Sequence, residues 1–155
     1  GKQRDASKYV GGEYRNAVEG NHLNMVLAFE SVNWKHKDMI TFNLINTLLG
    51  NSNVDSHSLG KGLNARLRKN IAEKHHFVDY VHGLNFHFTD SGLFGIHAQG
   101  AASNGKDILN AVVTELKNLT KAIPAEELNR AKNVLKANIA ATMESQTDRI
   151  EEAVK

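Results

Sequence analysis

Eight histidines in 155 residues are the first candidates for chemistry, because neutral imidazole is the commonest metal ligand among side chains. A helical zinc-peptidase site needs two histidines about one turn apart and a glutamate placed to act on the bound water. Neither His-Glu-x-x-His nor the inverted His-x-x-Glu-His occurs in the chain. His75 and His76 stand beside Glu73, but adjacent helical residues point in different directions. His87 and His97 are placed to face each other across a hairpin, with no third ligand in view. These histidines therefore read as structural or surface residues, and neither a metal nor another cofactor is expected.

Nucleophilic chemistry fares no better. There is no cysteine, which excludes a disulfide framework, a zinc ribbon and a thiol nucleophile together. No Gly-x-Ser-x-Gly elbow is present. Asp90-Ser91-Gly92 is tempting, but all three residues suit a hairpin turn. The carboxylate pairs Glu126-Glu127 and Glu151-Glu152 fit solvated helix faces. Gly60-Lys61-Gly62 lacks the spacing of a phosphate loop and follows a polar stretch rather than a strand. Lys61, Arg66, Arg68 and Lys69 then read as a solvated basic face. No catalytic residue is expected in this chain.

Composition sets the remaining bounds. Apolar residues at 41% and charged residues at 23% suit a globular domain with a real core rather than a disordered chain. A net charge of +2, with acids and bases interspersed, argues against nucleic acid as a partner. The longest apolar run, Met25 to Phe29, is too short to span a bilayer. Gly1 to Lys8 contains no hydrophobic stretch, so it does not read as a secretory signal. A start at Gly1 rather than at Met is what a processed or partial chain would show.

The elements that would position these residues run as two strands, two helices, two strands, two helices. Tyr9 to Arg15 reads as a short extended piece around Gly11-Gly12, and Gly20-Asn21-His22 as the turn that follows. In Leu23 to Val32, Leu23, Met25, Leu27 and Phe29 alternate with their neighbours at the period of two that marks a half-buried strand. Asp38 stands at the N-cap of a helix carrying Met39, Phe42, Ile45 and Leu49, which stops at Gly50. Asn51 to Leu59 reads as a polar loop, and Leu63 to about Lys74 as a basic helix. Phe77 to Phe88, the turn Thr89 to Gly92 and Leu93 to Ala98 form a hairpin. Lys106 to Lys121 is amphipathic through Leu109, Val112, Val113, Leu116 and Leu119. Pro124 opens a last helix whose inward stripe is Leu128, Ala131, Leu135, Ile139 and Thr142. That helix reaches Lys155 without a C-cap, which suggests a cut chain. Strand pairs followed by helix pairs predict an α+β layered sandwich, a mainly antiparallel sheet packed against helices.

Several segments, in this order, resemble the mitochondrial processing peptidase α and cytochrome bc1 core-protein family. They are Tyr9-Val10-Gly11-Gly12-Glu13-Tyr14-Arg15, Leu27-Ala28-Phe29-Glu30 and Leu48-Leu49-Gly50. Gly60-Lys61-Gly62-Leu63-Asn64-Ala65-Arg66-Leu67 and Asp90 to His97 follow, then Glu127 to Asn133 and Met143-Glu144-Ser145. The resemblance covers nearly the whole chain. It implies a pitrilysin-like fold and a single C-terminal-type domain over residues 1–155. It also implies a role beside a second, metal-bearing β-type or core 1 subunit. Cytochrome b, cytochrome c1 and the Rieske protein are the further partners it implies, on the matrix side of the mitochondrial inner membrane. The α-type subunits carry a glycine-rich loop that helps take up presequence peptides. Here Gly50, Gly60 and Gly62 frame that loop, but Asn51 to Leu59 between them holds no glycine. A run with side chains throughout samples less backbone space than a glycine run. The degenerate loop, as Gly50, Asp55, Gly60, Lys61 and Gly62, is the one candidate substrate-binding site, with Asp55 placed to attract a basic peptide. Scaffold or presequence receptor are the two roles left open, with a pitrilysin-like half outside the respiratory chain as a third.

Overall fold

The structure, a computed structural model, describes residue 5 and residues 7–50 and 64–142. The chain divides into two compact units, Gly1–Lys121 and Ala122–Lys155.

The first unit is built on a three-stranded antiparallel sheet in the order β1-β3-β2, with β1 at His22–Ser31, β2 at Val78–His87 and β3 at Gly92–Ala101. The central strand pairs Leu27 with Ile96 on one side and Gly83 with Ile96 on the other. Strand alternation then gives each face its own set. Leu23, Met25 and Leu27 share a face with Ile96 and Ala98, and this face meets α1 (Met39–Leu49), α2 (Gly105–Asn118) and the short π-helical turn Arg68–Ala72. Leu49, Leu67, Ile71, Ile96, Ile108 and Val112 are shut off from water there. Each such side chain contributes roughly 1.5–3 kcal/mol of transfer free energy. Phe42 of α1 meets Phe94 edge to face at 5.6 Å and ties the first helix to the central strand.

Most of the expected elements stand within a residue or two, and the departures have local causes. Tyr9 to Arg15 is not a strand: Gly11 and Gly12 turn the backbone to φ +67° and +141°, and no described strand pairs with it. Val10 and Tyr14 stay exposed. Asp38 does not cap α1 with its side chain; its carbonyl accepts the Phe42 N–H at 3.1 Å. The basic helix is shorter than expected and becomes a π turn, in which the Glu73 N–H reaches back to the Arg68 carbonyl at 2.9 Å. On α2 the inward stripe runs through Ile108, Val112 and Glu115, spaced four and three, so Leu109 turns outward.

The second unit holds α3, Ala125–Thr142. Pro124 precedes it and accepts the first helical hydrogen bond, from Leu128 N–H at 3.0 Å. Glu126 and Glu127 sit in the first turn, where carboxylates complement the positive end of the helix. Of the expected stripe, Ala131 is buried and Leu128 and Leu135 half-buried, whereas Ile139 and Thr142 are exposed. Among the described residues no helix is long and apolar enough to cross a membrane.

Candidate functional site

Of the five loop residues, Gly50 is described; Asp55, Gly60, Lys61 and Gly62 lie outside the described residues. The geometry at Gly50 shows how the loop is rooted. Its N–H closes α1 on the Asn46 carbonyl at 2.9 Å, and its own carbonyl accepts the Gly83 N–H at 2.6 Å. Gly50 has φ +105° and ψ +106°, a region that residues with a Cβ avoid. A Cβ there would lie 2.7 Å from the Ala65 Cβ, where the chain re-enters the described fold. Gly50 is therefore held between α1, β2 and Ala65, and the loop leaves from a fixed point.

Gly83 is the partner that inspection of the chain missed. A Cβ on Gly83 would run into Asn46 Oδ1 and come within 3.3 Å of the Gly50 carbonyl. The signal was available, since a glycine inside a Val- and Tyr-rich strand often marks close backbone approach.

The histidines divide between the two sheet faces. His87 does not meet His97: it pairs with Gly92, while His97 lies opposite His82 on the other face. His87 Nδ1 donates to the Val32 carbonyl at 2.8 Å, which leaves Nε2 to accept from Asn85 Nδ2 at 3.0 Å. On the other face the His82 and His97 rings meet edge to face at 4.9 Å, with Tyr80 4.7 Å from His82. His97 Nε2 is bonded to Asn24 Oδ1, and Gln99 Nε2 donates to the same oxygen at 3.4 Å. His82 is buried and its Nδ1 has no partner. Burial, with the neighbouring His97 second, pulls its pKa down to about 4. Two imidazoles and neutral amides make no metal site, and no group of three metal-binding side chains occurs among the described residues.

Asp90 and Ser91 occupy the turn between β2 and β3, where the Phe88 N–H bonds the Ser91 carbonyl at 2.9 Å. Asp90 Oδ2 accepts the Ser7 N–H at 2.8 Å, and that bond holds its carboxyl below the usual range. Arg68 pairs with Glu73 at 3.3 Å and Arg130 with Glu126 at 3.0 Å, both at the surface. None of these groups is aligned with a second one for acid, base or nucleophilic work.

A family model described as the peptidase M16 inactive domain matches residues 1–135. The chain belongs to this family. It is 30% identical over 151 residues to the mitochondrial cytochrome b-c1 complex subunit 1 of Caenorhabditis elegans, covering 95% of this chain and 32% of that protein. The rat mitochondrial-processing peptidase subunit beta is 32% identical, covering 90% of this chain and 28% of its own length. The corresponding subunit alpha of Caenorhabditis elegans is 26% identical, covering 96% and 31%. The chain thus spans about a third of the length of these relatives. Among solved structures, a Helicobacter pylori protease matches with a TM-score of 0.70 at 22% identity, over 84% of this chain and 30% of that one. Complex III2 from Candida albicans matches at 0.67 and 16% identity, over 87% and 32%. The M16 inactive-domain fold is the layered sandwich expected from the strand and helix pattern. Relatives of both the alpha and the beta kind match, so likeness by itself does not divide them.

Proposed function

We propose that this chain is a single C-terminal-type domain of a non-catalytic core subunit of the mitochondrial cytochrome bc1 complex. In this role it pairs with a β-type or core 1 subunit on the matrix side of the inner membrane. It supports assembly around cytochrome b, cytochrome c1 and the Rieske protein. The observation that carries the reading is the loop: Gly50 keeps its rooted geometry, but Asn51 to Leu59 lacks glycine, which suits a scaffold better than a mobile receptor. The 30% identity to a b-c1 complex subunit over 95% of the chain supports it. The test is purification of the native protein. Comigration with cytochrome b and cytochrome c1 is expected, and recovery only as a small soluble heterodimer overturns the reading.

A second reading is the presequence-recognising α subunit of a processing peptidase. The alpha relative covering 96% of the chain favours it, as does the retention of Gly50 at the root of the loop. Reconstitution with a zinc-bearing β-type subunit, followed by cleavage of a basic amphipathic presequence, separates the two. Cleavage unchanged after residues 51–59 are replaced by an unrelated linker would rule out recognition through the loop. In one complex that performs both tasks, both experiments succeed.

A further inference from the structure

On the helix side of the sheet, a groove of about 570 Å³ opens between the π turn and α2. Its lining includes Glu115, a residue only 5% exposed. Asn118 Nδ2 donates to Glu115 Oε1 at 3.0 Å and Asn70 Nδ2 to Oε2 at 3.1 Å. Both partners are neutral, and Glu115 forms no ion pair among the described residues. A buried carboxylate without a cation is costly, and each of its oxygens keeps a lone pair beyond the one its carboxamide uses.

The surrounding groups narrow what could supply the missing charge. Lys74 also lines the groove, but its Nζ donates to Asn70 Oδ1 at 3.4 Å and makes no ion pair with Glu115. Asp107 adds a second carboxylate from the exposed first turn of α2. His75 and Phe77 contribute a wall of two rings, 5.1 Å apart and tilted by 35°. Carboxylate oxygens with spare lone pairs and an aromatic wall match a flat cation. A guanidinium group offers a planar fork of N–H donors and a face that stacks on rings, whereas an ammonium offers neither.

We propose that the groove between the π turn and α2 is a binding site for a guanidinium group, presented as an arginine side chain, with Glu115 as its carboxylate and His75 and Phe77 as its stacking wall. This site lies apart from Gly50 and does not depend on the role assigned above. The experiment titrates the intact protein with N-acetyl-arginine amide, N-acetyl-lysine amide and N-acetyl-citrulline amide, followed by saturation-transfer NMR. Saturable binding is expected for the arginine amide, weakened about tenfold or more for the lysine amide and lost for the uncharged citrulline. Glu115→Gln should abolish binding at an unchanged melting temperature. Thr114→Trp, which places a bulky ring on an exposed residue of the lining, should also block it and decides the matter if Glu115→Gln fails to fold. Equal binding of all three amides, no binding of the arginine amide, or binding retained in the folded Thr114→Trp variant overturns the proposal.

Discussion

Along β3, Phe94, Ile96 and Ala98 point toward the helices and are closed off from water, while Leu93, His97 and Gln99 point the other way. That second face carries Val26 at 58% exposure, Phe86 at 50% and Tyr80 at 43%. The same alternation therefore serves two environments. The helix-covered face is stabilised by apolar burial, which is non-directional and grows with area. The open face leaves large apolar groups in water and buries a polar one, His82, without a partner for Nδ1. The first face carries the stability of the fold, and the second carries its chemical sensitivity.

The largest expected effect tests that division from the covered side. Ile96→Ala removes a fully buried side chain at the centre of the sheet and should cost about 3–5 kcal/mol in urea unfolding. A loss below about 1 kcal/mol would mean the covered face is not the core. Next comes Gly50→Ala, at the point where α1, β2 and the loop meet. The positive φ and the approach to Ala65 Cβ both oppose a methyl group there. A loss of about 2–3 kcal/mol is expected. Gly83→Ala should be comparably damaging, because its Cβ would meet Asn46 Oδ1; if both variants unfold like the parent, the latch between the loop root and β2 does not exist.

The open face is sharpened by pH. His82 titrates near 4 in the fold and at 6.5 in the unfolded chain, so the unfolded chain takes up its proton first as the solution is acidified. The neutral imidazole's contribution is complete above pH 6.5 and is lost as pH falls toward 4. Between pH 7.5 and pH 5 that loss is about 2 kcal/mol from this group. His97 and Tyr80 are the titratable side chains whose rings face it. His82→Phe keeps an aromatic ring of similar size and removes the titration. Urea midpoints measured at both pH values should move toward the variant by that amount at pH 5. Parallel losses in parent and variant would assign the acid sensitivity elsewhere.

How far these features were legible in the chain depends on the range of the interactions involved. Alternation in Leu23 to Phe29 and the turn residues Asp90-Ser91-Gly92 placed β1 and the hairpin, because period and turn chemistry are local. Tyr9 to Arg15 misled, because β-favouring residues form a strand only when a neighbour pairs with them, and Gly11-Gly12 bends the backbone away. The histidine pairing turned on register: the hairpin turn sets His87 opposite Gly92 and His82 opposite His97, and the odd spacing between His82 and His87 along the strand puts them on opposite faces. Glu115 had no local signature at all. It occupies an inward position of an amphipathic helix, and only the fold brings Asn70, 45 residues away, within reach of its carboxylate.

The smallest expected effect on folding concerns the apolar residues of the open face. Phe86 projects from β2 beside Leu93 of β3 and stays half exposed. Phe86→Thr replaces one strand-favouring residue with another and gives up little buried area, so stability should change by no more than about 0.5 kcal/mol. Apolar groups exposed together on one face mark an interaction surface, so the change should appear in association instead. If the open face is where other residues of the protein or a partner subunit lie, Phe86→Thr should weaken assembly of the native complex while its melting temperature as an isolated chain is unchanged. A drop of several kcal/mol in the isolated chain would instead place Phe86 in the core and abolish the distinction between the two faces.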